Sequence, residues 1–464
     1  MKVFKTDIAI IGGGPAGLSA ALAAAKAGAR VDIIDAGFLP GGQYWMQDPT
    51  GAPPLSDQVS EGRDAIATIR AAGVTIHSGA EVWTVFPDLK IGANGPDGPF
   101  EIVPRAIIVA SGAHDRVMPF PGWTLPGVMT PGAGQRLAKL GGMSAGDRVV
   151  LAGSGPFLLA VAETLAKIGK PPIALIEAKR TNAGILAHMA RHPARWREAA
   201  RLLATARAIP DRRAGWIVTE ALGTERVTAV RIAPIATNGV IAHDDAEVIA
   251  GIDALLVGWG FRPMIEVTAL LRCRHEYDRA QGGWFCATDP KSGRTSVEHV
   301  YAAGEVTGIA GSVPARLSGR LAGLAAAADL GFIGSDPAAA QAEAVAKLMP
   351  ARRFAYGLGR LYAPPESLAD LAQDDTVLCR CEEVTKRDVA AALDAGTQAV
   401  SGAKMWTRAG MGRCQGRVCG WGIAEIAARI TSTTPEAAGF NAPRIPLRPV
   451  PLSVVLEATR EVEA

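Results

Sequence analysis

Four of the six cysteines lie within one stretch of the 464-residue chain. They form two close pairs separated by 32 residues, Cys379-x-Cys381 and Cys414-x4-Cys419. Thiolate sulfur is a soft ligand, and four thiolates in two pairs are typical of a zinc site or of an iron–sulfur cluster. The spacing does not separate these two metals, and a purely structural role for the thiols is a third interpretation.

The residues around the two pairs are those of a turn-rich, positively charged site. Glycines would let backbone amides turn towards the sulfurs, and arginines would offset the thiolate charge. These residues are Gly410, Gly412, Gly416 and Gly420, with Arg380, Arg413 and Arg417. Between the pairs, Thr385 and Asp388 have the spacing of a helix capping box. Cys273 and Cys286 stand apart in the sequence and are expected to be inert thiols of the core.

A glycine motif near the N-terminus predicts a dinucleotide site. The pattern Gly12-x-Gly14-x-x-Gly17 follows an apolar strand at residues 7–11 and opens a helix at residues 15–27. The first glycine permits the tight turn, the second lets the backbone approach a pyrophosphate, and the third lets the helix pack on the strand. The amides and dipole of the helix start then stabilise the phosphate charge.

The neighbours of this motif complete the predicted nucleotide site. Pro15 and Ala16 begin the helix, and the following strand, residues 30–35, ends in Asp35 and is followed by Ala36. A carboxylate at this distance from the third glycine accepts a hydrogen bond from a ribose hydroxyl.

A second, incomplete glycine motif begins a similar strand–helix–strand unit at residue 148. Gly153, Gly155 and Pro156 are present, but Leu158 stands where the third glycine belongs. Glu177 ends the next strand and would favour NAD over NADP if the site is used. Because the leucine forces a wider helix–strand separation, two interpretations stay open: a working nicotinamide site, or a vestigial domain that at most binds an adenylate such as ATP.

Composition and charge exclude several classes of function. Lys and Arg total 48 against 45 Asp and Glu, a net charge of +3, which argues against nucleic-acid binding. No uninterrupted apolar run reaches the length of a membrane span. The basic start and apolar run at the N-terminus superficially resemble a signal peptide, but the glycine turn interrupts them, so a cytoplasmic, unprocessed protein is expected.

The first motif resembles that of flavoproteins with two dinucleotide domains, which include glutathione and thioredoxin reductases. The resemblance extends to Gly42 and Gln43, to Ser111-Gly112, and to the late strand that ends in Gly304-Glu305. It implies FAD as the cofactor, with Glu305 replacing the usual Asp that bonds the ribityl chain. A reactive cysteine pair is missing from the segment after Gly42 and from residues 153–165, so the chain is not expected to be a disulfide reductase.

The cysteine-rich segment resembles the small helical 2Fe–2S domain of bacterioferritin-associated ferredoxin, in which CxC and CxxxxC pairs ligate the cluster. This resemblance favours a 2Fe–2S cluster over zinc, with all four cysteines as ligands. A cluster beside a flavin would also offer an exit for single electrons that zinc cannot provide.

Nearly the whole chain resembles one family. The two glycine motifs, AAGEVTGIAGS, CRCEEVT, FPGWTLPGVMT (120–130) and RPVPLSVV (448–455) occur in the order typical of that family. Its members are the A or α subunits of opine oxidases and of hydroxyproline and proline dehydrogenases, and the B subunit of hydrogen cyanide synthase. In these complexes a β-type subunit resembling an amino-acid oxidase holds its own FAD and oxidises the C–N bond. Some members hold FMN between subunits, and some complexes include a small ferredoxin-like subunit.

The resemblance implies an electron-transferring subunit that passes electrons to a quinone or carrier, with an opine or another secondary amino acid as substrate. Such a complex would be cytoplasmic or peripheral at the inner membrane. It also explains why no catalytic residue is predicted: His114, at the end of a strand, is the nearest candidate and is more simply structural. Two rival hypotheses are a self-contained NAD(P)H-dependent reductase and a non-catalytic scaffold subunit that binds nucleotide and metal.

The predicted fold class is α/β, with two glutathione-reductase-like dinucleotide domains and a small helical 2Fe–2S domain. The predicted limits are residues 1–115 and 265–330 for the FAD domain and 116–264 for the second dinucleotide domain. A helical connector (331–372), the 2Fe–2S domain (373–436) and an extended C-terminal arm (437–464) would follow.

Overall fold

The computed structural model describes residues 1–50, 55–334, 336–397 and 399–460. These residues fold into two compact units, each built from separate stretches of the chain. Unit 1 comprises Met1–Ala113, Pro263–Tyr356 and Ala442–Ala464, and unit 2 comprises His114–Arg262 and Gly357–Asn441. None of the described helices combines the length and the apolarity needed to span a bilayer.

The elements are numbered in chain order. The strands are β1 (Lys2–Ile11), β2 (Val31–Asp35), β3 (Thr75–Ser78), β4 (Glu81–Val85), β5 (Ile91–Gly95), β6 (Gly98–Val109), β7 (Ala113–Asp115), β8 (Val128–Met129), β9 (Val149–Gly153), β10 (Ala174–Glu177), β11 (Asp211–Ala214), β12 (Trp216–Leu222), β13 (Ala229–Pro234), β14 (Glu247–Ala250), β15 (Ala254–Gly258), β16 (Phe261–Pro263), β17 (His275–Asp278), β18 (Gly283–Cys286), β19 (Val300–Ala302), β20 (Val377–Cys379) and β21 (Val384–Thr385). The α-helices are α1 (Pro15–Lys26), α2 (Asp57–Ala71), α3 (Pro131–Gly141), α4 (Phe157–Lys167), α5 (Ala183–Ala190), α6 (Trp196–Arg207), α7 (Glu266–Leu270), α8 (Ser312–Asp329), α9 (Pro337–Leu361), α10 (Lys386–Asp394), α11 (Val400–Thr407), α12 (Gly420–Ile430), α13 (Pro435–Ala438) and α14 (Leu452–Arg460).

Unit 1 is built on a seven-stranded sheet in the order β3-β2-β1-β6-β5-β4, with β19 also paired to β6. Strands β3, β2, β1, β6 and β19 are parallel, whereas β4, β5 and β6 form an antiparallel meander. The buried half of β1, residues 8–11, is apolar at every position, as expected for a parallel strand covered on both faces. The parallel strands carry their carboxyl ends to one edge, where nucleotide sites form in such sheets.

Helices α1 and α8 pack with their backbones in direct contact. An added Cβ at Gly319 would stand 2.1 Å from the carbonyl oxygen of Ala16, and one at Gly323 would stand 2.2 Å from that of Ala20. No side chain larger than hydrogen fits at either position. Gly319 and Gly323 lie four residues apart on α8. They let α8, the helix that follows Gly304, approach α1, the helix that begins at the first glycine motif.

Unit 2 contains a parallel five-stranded sheet, β11-β10-β9-β15-β8, and an antiparallel sheet, β12-β13-β14. Strand β9, helix α4 and strand β10 form the second strand–helix–strand unit that the sequence predicts. The mixed α/β fold with dinucleotide-binding topology is therefore confirmed in both units.

The cysteine-rich segment shares the hydrophobic core of unit 2. One continuous cluster of buried side chains joins β9, β10 and β15 to β12 and β13 and to α10 and α12, for example through Val150, Ile232 and Ile426. In the structure residues 373–436 are thus part of a larger unit. The predicted capping box is present, because the Thr385 hydroxyl accepts from the amide of Asp388 and the Asp388 carboxylate accepts from that of Thr385.

The predicted extended C-terminal arm contains a helix near its end, whereas residues 439–451 form neither helix nor strand. Residues 452–460 form helix α14, in which the Val454 side chain is buried. After Pro451 this segment contains no proline, so its amides can enter a helix ladder. The last four residues, 461–464, lie outside the described part of the chain.

Candidate cofactor sites

The first glycine motif has the backbone geometry that its sequence predicts. Gly12 has a φ of +109°, and a Cβ there would lie 2.3 Å from the carbonyl oxygen of Ala110. A Cβ at Gly17 would lie 1.9 Å from the carbonyl oxygen of Gly12. Both positions therefore require glycine for packing. Gly14 differs, because a Cβ there would meet only the Cα of Gly42, at 3.8 Å.

Gly42 keeps the space beside Gly14 open. It has a φ of +58°, and a side chain at this position would approach the Cα of Gly14 to 2.9 Å. The amide of Gly41 donates to the carbonyl oxygen of Gly13 at 2.8 Å, which holds this loop against the motif. Gln43, next in the loop, is exposed. Two facing glycines thus form a cradle at the start of α1.

The start of α1 leaves its first amides without a side-chain cap. Gly14 is the N-cap, Pro15 occupies the first turn, and Ala16 and Gly17 follow as buried residues. Unsatisfied amides and the positive end of the helix dipole favour an anion at this point. The residues of the cradle therefore fit the pyrophosphate of a dinucleotide.

Asp35 lies at the end of β2, beside the cradle. Its carboxylate accepts hydrogen bonds from the amide of Gly13 and, at 2.8 Å, from that of Gly37. Burial raises the pKa of Asp35, and these two amides partly offset the rise. Ala36, which follows it, is exposed. The carboxylate is fixed in place while each oxygen keeps a lone pair for a further donor.

The remaining predicted flavin contacts lie in the same unit. The Ser111 hydroxyl donates to the carbonyl oxygen of Met264 at 2.7 Å, and the space where a Cβ of Gly112 would stand has no atom within 4 Å. Gly304 has a φ of +78°, and a Cβ added there would stand 2.7 Å from the methyl carbon of Ala16. The Glu305 carboxylate accepts from the amide of Gly311, at the start of α8, at 2.6 Å. Burial raises the pKa of Glu305.

The second glycine motif is covered by the side chain of Tyr362. A Cβ at Gly155 would lie 3.8 Å from the Tyr362 Cβ and 4.0 Å from its Cγ. The Ser154 hydroxyl donates to the carbonyl oxygen of Tyr362 at 3.1 Å, which anchors the tyrosine over the turn. Beside this turn, Asp115, Phe157 and Gly258 help to line a cavity of about 10 Å³.

Sequence reasoning missed Tyr362 because it lies about 200 residues after the motif it covers. The backbone turn is preserved, since a Cβ at Gly153 would lie 1.7 Å from the carbonyl oxygen of Gly258. Pro156 forms the N-cap of α4. The nearest atoms to a Cβ at Gly155 belong to Tyr362, so this tyrosine is the side chain that a pyrophosphate at Gly155 would contact.

Glu177 is held by the turn itself. Its carboxylate accepts from the amide of Gly155 at 2.9 Å and from that of Lys179 at 3.0 Å. Burial raises the pKa of Glu177 to about 7 despite these two amides. Burial, and in addition the Glu177 charge, raise the pKa of Tyr362 to about 12. The acid therefore interacts with the tyrosine that covers the motif.

The raised pKa of Glu177 predicts a pH-dependent stability. An acid with a higher pKa in the folded protein than in the unfolded chain stabilises the fold at low pH, and this contribution is lost as the pH rises from about 4.5 to about 7. In the wild type we expect the free energy of unfolding to fall by on the order of 2–3 kcal/mol between pH 4.5 and 7.5 because of this group. Glu177→Gln should remove this decrease. Urea unfolding of the wild type and the variant at both pH values measures it. The exposed Glu198→Gln serves as the control, and equal slopes for wild type and Glu177→Gln would contradict the assignment.

The four thiols of the two cysteine pairs meet in unit 2. Hydrogen bonds join Cys419 to Cys379 and to Cys414, and another joins Cys414 to Cys381. Cys379 and Cys419 are buried, whereas Cys381 is exposed. In the part of the chain that the structure describes, no three His, Cys, Asp or Glu side chains form a group able to hold a metal ion. The thiols therefore lie in a row of contacts and do not surround one point.

Hydrogen bonds give two of these thiols thiolate character. The Cys419 thiol lowers the pKa of Cys379 to about 6 and that of Cys414 to about 4. Its own pKa rises, because it is hydrogen-bonded to both neighbours and is buried. Burial raises the pKa of Cys381. The thiolate is the form that binds metals, so Cys379 and Cys414 have the ionisation that a soft metal centre needs, although the described thiols do not surround one point.

Backbone amides converge on the same sulfurs. The amide of Gly410 donates to the Cys379 sulfur at 3.3 Å, and the amides of Gly416 and Val418 hydrogen-bond to the Cys414 thiol. Gly412 lies against the first pair, since a Cβ there would lie 2.3 Å from that of Cys381. These are the N–H···S contacts by which proteins stabilise cluster sulfurs.

The nearby arginines are held by their own partners. The Arg380 guanidinium lies 5.2 Å from the ring centre of Trp123, whose indole nitrogen donates to the carbonyl oxygen of Val377 at 2.6 Å. Arg417 is buried and donates to the carbonyl oxygen of Cys414 at 3.3 Å. Each cysteine pair thus has an arginine of its own segment held in a fixed position.

The residues around His114 are structural in the described chain. The buried Arg116 donates to the carbonyl oxygen of Phe261 through Nε and Nη2, at 3.1 and 2.9 Å, and its guanidinium stacks on Trp421. Asp115 accepts from the amide of Gly132 at 3.0 Å. Every group of this segment that could do chemistry is engaged in packing or in a turn.

The other two cysteines are buried, as predicted, but they do not stand apart. The thiols of Cys273 and Cys286 hydrogen-bond to each other, because the hairpin of β17 and β18 pairs Cys286 with His275, two residues after Cys273. The sequence separation of the two cysteines gave no sign of this contact.

Two family models match the chain. That of the pyridine nucleotide-disulphide oxidoreductases covers residues 6–328, and that of the sarcosine oxidase A3 domain covers residues 374–460. The first match includes both glycine motifs and the second includes all four clustered cysteines.

Individual proteins extend the similarity to the full length. The chain is 34% identical to the opine oxidase A subunit of Rhizobium meliloti strain 1021, over 97% of this chain and 98% of that protein. It is 30% identical to the hydrogen cyanide synthase subunit HcnB of Pseudomonas protegens, over 98% of each. Among solved structures, L-proline dehydrogenase from P. horikoshii has the same fold, with a TM-score of 0.72 and 20% identity over 98% of this chain and 80% of that one.

Proposed function

Because the chain belongs to the pyridine nucleotide-disulphide oxidoreductases and, within them, to the family of opine oxidase A subunits and HcnB subunits, we propose that it is the electron-transferring subunit of a heteromeric amine dehydrogenase. The family implies a flavin oxidoreductase with partner subunits. Its substrate would be an opine or another secondary amino acid, oxidised at the C–N bond in a β-type subunit with its own FAD. Proline, hydroxyproline and the substrate of hydrogen cyanide synthase are the alternative substrates.

One observation carries the proposal: a chain with an open glycine cradle also brings four cysteine thiols into contact. Within the described residues the segment around His114 offers no free acid, base or nucleophile for substrate chemistry. A chain that carries a glycine cradle and four thiols in contact, and whose segment around His114 is engaged in packing, suits relay of electrons better than oxidation of a substrate.

FAD would bind in unit 1. The amides at the start of α1 would hold the pyrophosphate, and Asp35 would accept from a ribose hydroxyl. Gly112 leaves room for the backbone to approach the ligand, because no atom lies within 4 Å of its would-be Cβ. When bound, FAD supplies the acceptance of an electron pair and its release one electron at a time.

A 2Fe–2S cluster would bind to Cys379, Cys381, Cys414 and Cys419 in unit 2. The amides of Gly410 and Gly416 would bond the sulfurs, and Arg380 and Arg417 would offset the negative charge. The exposure of Cys381 gives this site an accessible edge. When bound, the cluster supplies single-electron transfer towards a quinone or a carrier.

The rival hypothesis of a self-contained NAD(P)H-dependent reductase requires a nicotinamide site. The side chain of Tyr362 lies over Gly155, where the pyrophosphate would approach. This contact favours electron delivery by a partner protein over delivery by a soluble nicotinamide. The remaining rival, a scaffold subunit, predicts a protein without a reducible centre.

Reduction of the purified chain distinguishes the three hypotheses. We expect its flavin absorbance to persist with NADH alone and with candidate amines alone. When the co-purified partner subunit and its amine are added together, we expect the flavin absorbance to fall at least about ten-fold faster than with NADH alone or with the amine alone. Anaerobic absorbance spectra measure this. Rapid bleaching by NADH alone would support the self-contained reductase, and a colourless protein would support the scaffold.

A further inference from the structure

Asn441 lies 22 residues after the last clustered cysteine and outside the motif that contains the four thiols. Its side-chain amide lies between two glycines of that motif. A Cβ at Gly410 would stand 2.3 Å from the Asn441 Nδ2, and a Cβ at Gly416 would stand 2.1 Å from the same atom. Both glycines have positive φ angles, +82° and +77°. The asparagine therefore occupies the space that a side chain at either position would need.

The two glycines are the ones whose amides bond the cysteine sulfurs. The amide of Gly410 donates to the sulfur of Cys379, in the first pair, and that of Gly416 hydrogen-bonds to Cys414, in the second pair. The Asn441 Nδ2 also donates to the carbonyl oxygen of Gly410 at 3.4 Å. One side chain thus touches both turns that supply N–H···S contacts.

Asn441 is itself held in place by the helices around it. The hydroxyl of Ser401, on α11, donates to the carbonyl oxygen of Phe440 at 3.3 Å. The Asn441 Oδ1 is buried and has no hydrogen-bond partner among the described residues. A buried amide oxygen without a partner is costly, so its retention is explained better by the position of Nδ2 between the glycines than by a contribution to stability.

We infer that Asn441 is a positioning residue for the 2Fe–2S site, which fixes the two N–H···S hydrogen bonds and thereby sets the cluster's reduction potential and its retention of iron. This role rests on the proposed cluster. Hydrogen bonds to cluster sulfurs stabilise the reduced, more negative form, and loss of them lowers the potential. Outer-shell groups of this kind typically change metal affinity by roughly 10–100-fold.

Two variants of the full-length, flavin-containing protein test the inference. Asn441→Ala removes the amide, and Asn441→Asp keeps its shape but places an oxygen in the position of Nδ2, against the carbonyl of Gly410. Asn238→Ala is the matched control, because Asn238 caps an exposed turn of the same unit. The measurements are the midpoint potential in a redox titration followed by electron paramagnetic resonance, and the rate of iron release to a chelator.

We expect both Asn441 variants to have a lower midpoint potential and to release iron roughly ten-fold faster, with Asn238→Ala equal to the wild type. If Asn441→Ala fails to fold, the isosteric Asn441→Asp decides. If a folded Asn441 variant had the midpoint potential and the iron-release rate of the wild type, the positioning role would be overturned, and the proposed cluster would be unaffected. Wild-type protein without iron and labile sulfide would overturn the proposed cluster as well.

Discussion

Replacing Cys419 with alanine is expected to reduce the iron and acid-labile sulfide of the purified protein to less than about a tenth of the wild-type content. Cys419 is one of the two inner thiols of the row, since it hydrogen-bonds to one member of each pair. Its loss would remove a ligand and also the thiol contact that lowers the pKa of Cys379 and of Cys414. Partner-dependent electron transfer should fall on the order of 100-fold or more, because the exit for single electrons is lost.

Cys286→Ala is the matched control for this experiment. Its thiol is equally buried and also hydrogen-bonds to another cysteine, but it lies in unit 1. Both variants remove a buried sulfur and should lose similar stability, so a difference in iron content isolates the role as a ligand. Flavin content should be unchanged in both. Full iron content in Cys419→Ala would contradict the ligand assignment.

Replacing Gly14 with alanine is expected to weaken FAD binding on the order of 100-fold, or by about 2.7 kcal/mol. The backbone at Gly14 has φ −79° and ψ −174°, a conformation open to any residue, and the nearest atom to an added Cβ is 3.8 Å away. The fold should therefore tolerate the methyl group. The methyl would nevertheless stand in the cradle where the pyrophosphate must approach the backbone.

Gly334→Ala is the control for steric tolerance in the same unit. The nearest atom to a Cβ at Gly334 is also 3.8 Å away, and this glycine lies outside the cradle. Titration of the flavin-free protein with FAD, followed by quenching of flavin fluorescence, gives both dissociation constants. An unchanged dissociation constant for Gly14→Ala would contradict the placement of the FAD pyrophosphate beside Gly14.

Local sequence patterns predicted the parts of the structure that depend on neighbouring residues. The first motif needs Gly12 and Gly17 for contacts within one turn and one helix, so spacing alone identified them. The capping box at Thr385 and Asp388 was predictable for the same reason. In each case the interacting groups lie a few residues apart, and their geometry follows from the secondary structure.

Contacts between distant segments were not predictable. Tyr362 covers Gly155, and Asn441 fills the space beside Gly410, but neither has a local pattern that signals its target. The contact between α1 and α8 left a weak signal, because Gly319 and Gly323 are spaced by one helical turn. Such spacing indicates a close helix contact without identifying the partner helix.

The common interior of unit 2 has a consequence for recombining redox proteins. Buried residues of the cysteine-rich segment, such as Ile426, interdigitate with those of the neighbouring sheets. The apolar side chains of this segment pack against the sheets of unit 2, so the segment cannot be moved alone into another protein. Cutting the chain near residue 373 would expose both halves of the interface to water. A chimera in which the cysteine-rich segment of one subunit replaces that of another would therefore need to exchange the whole of unit 2.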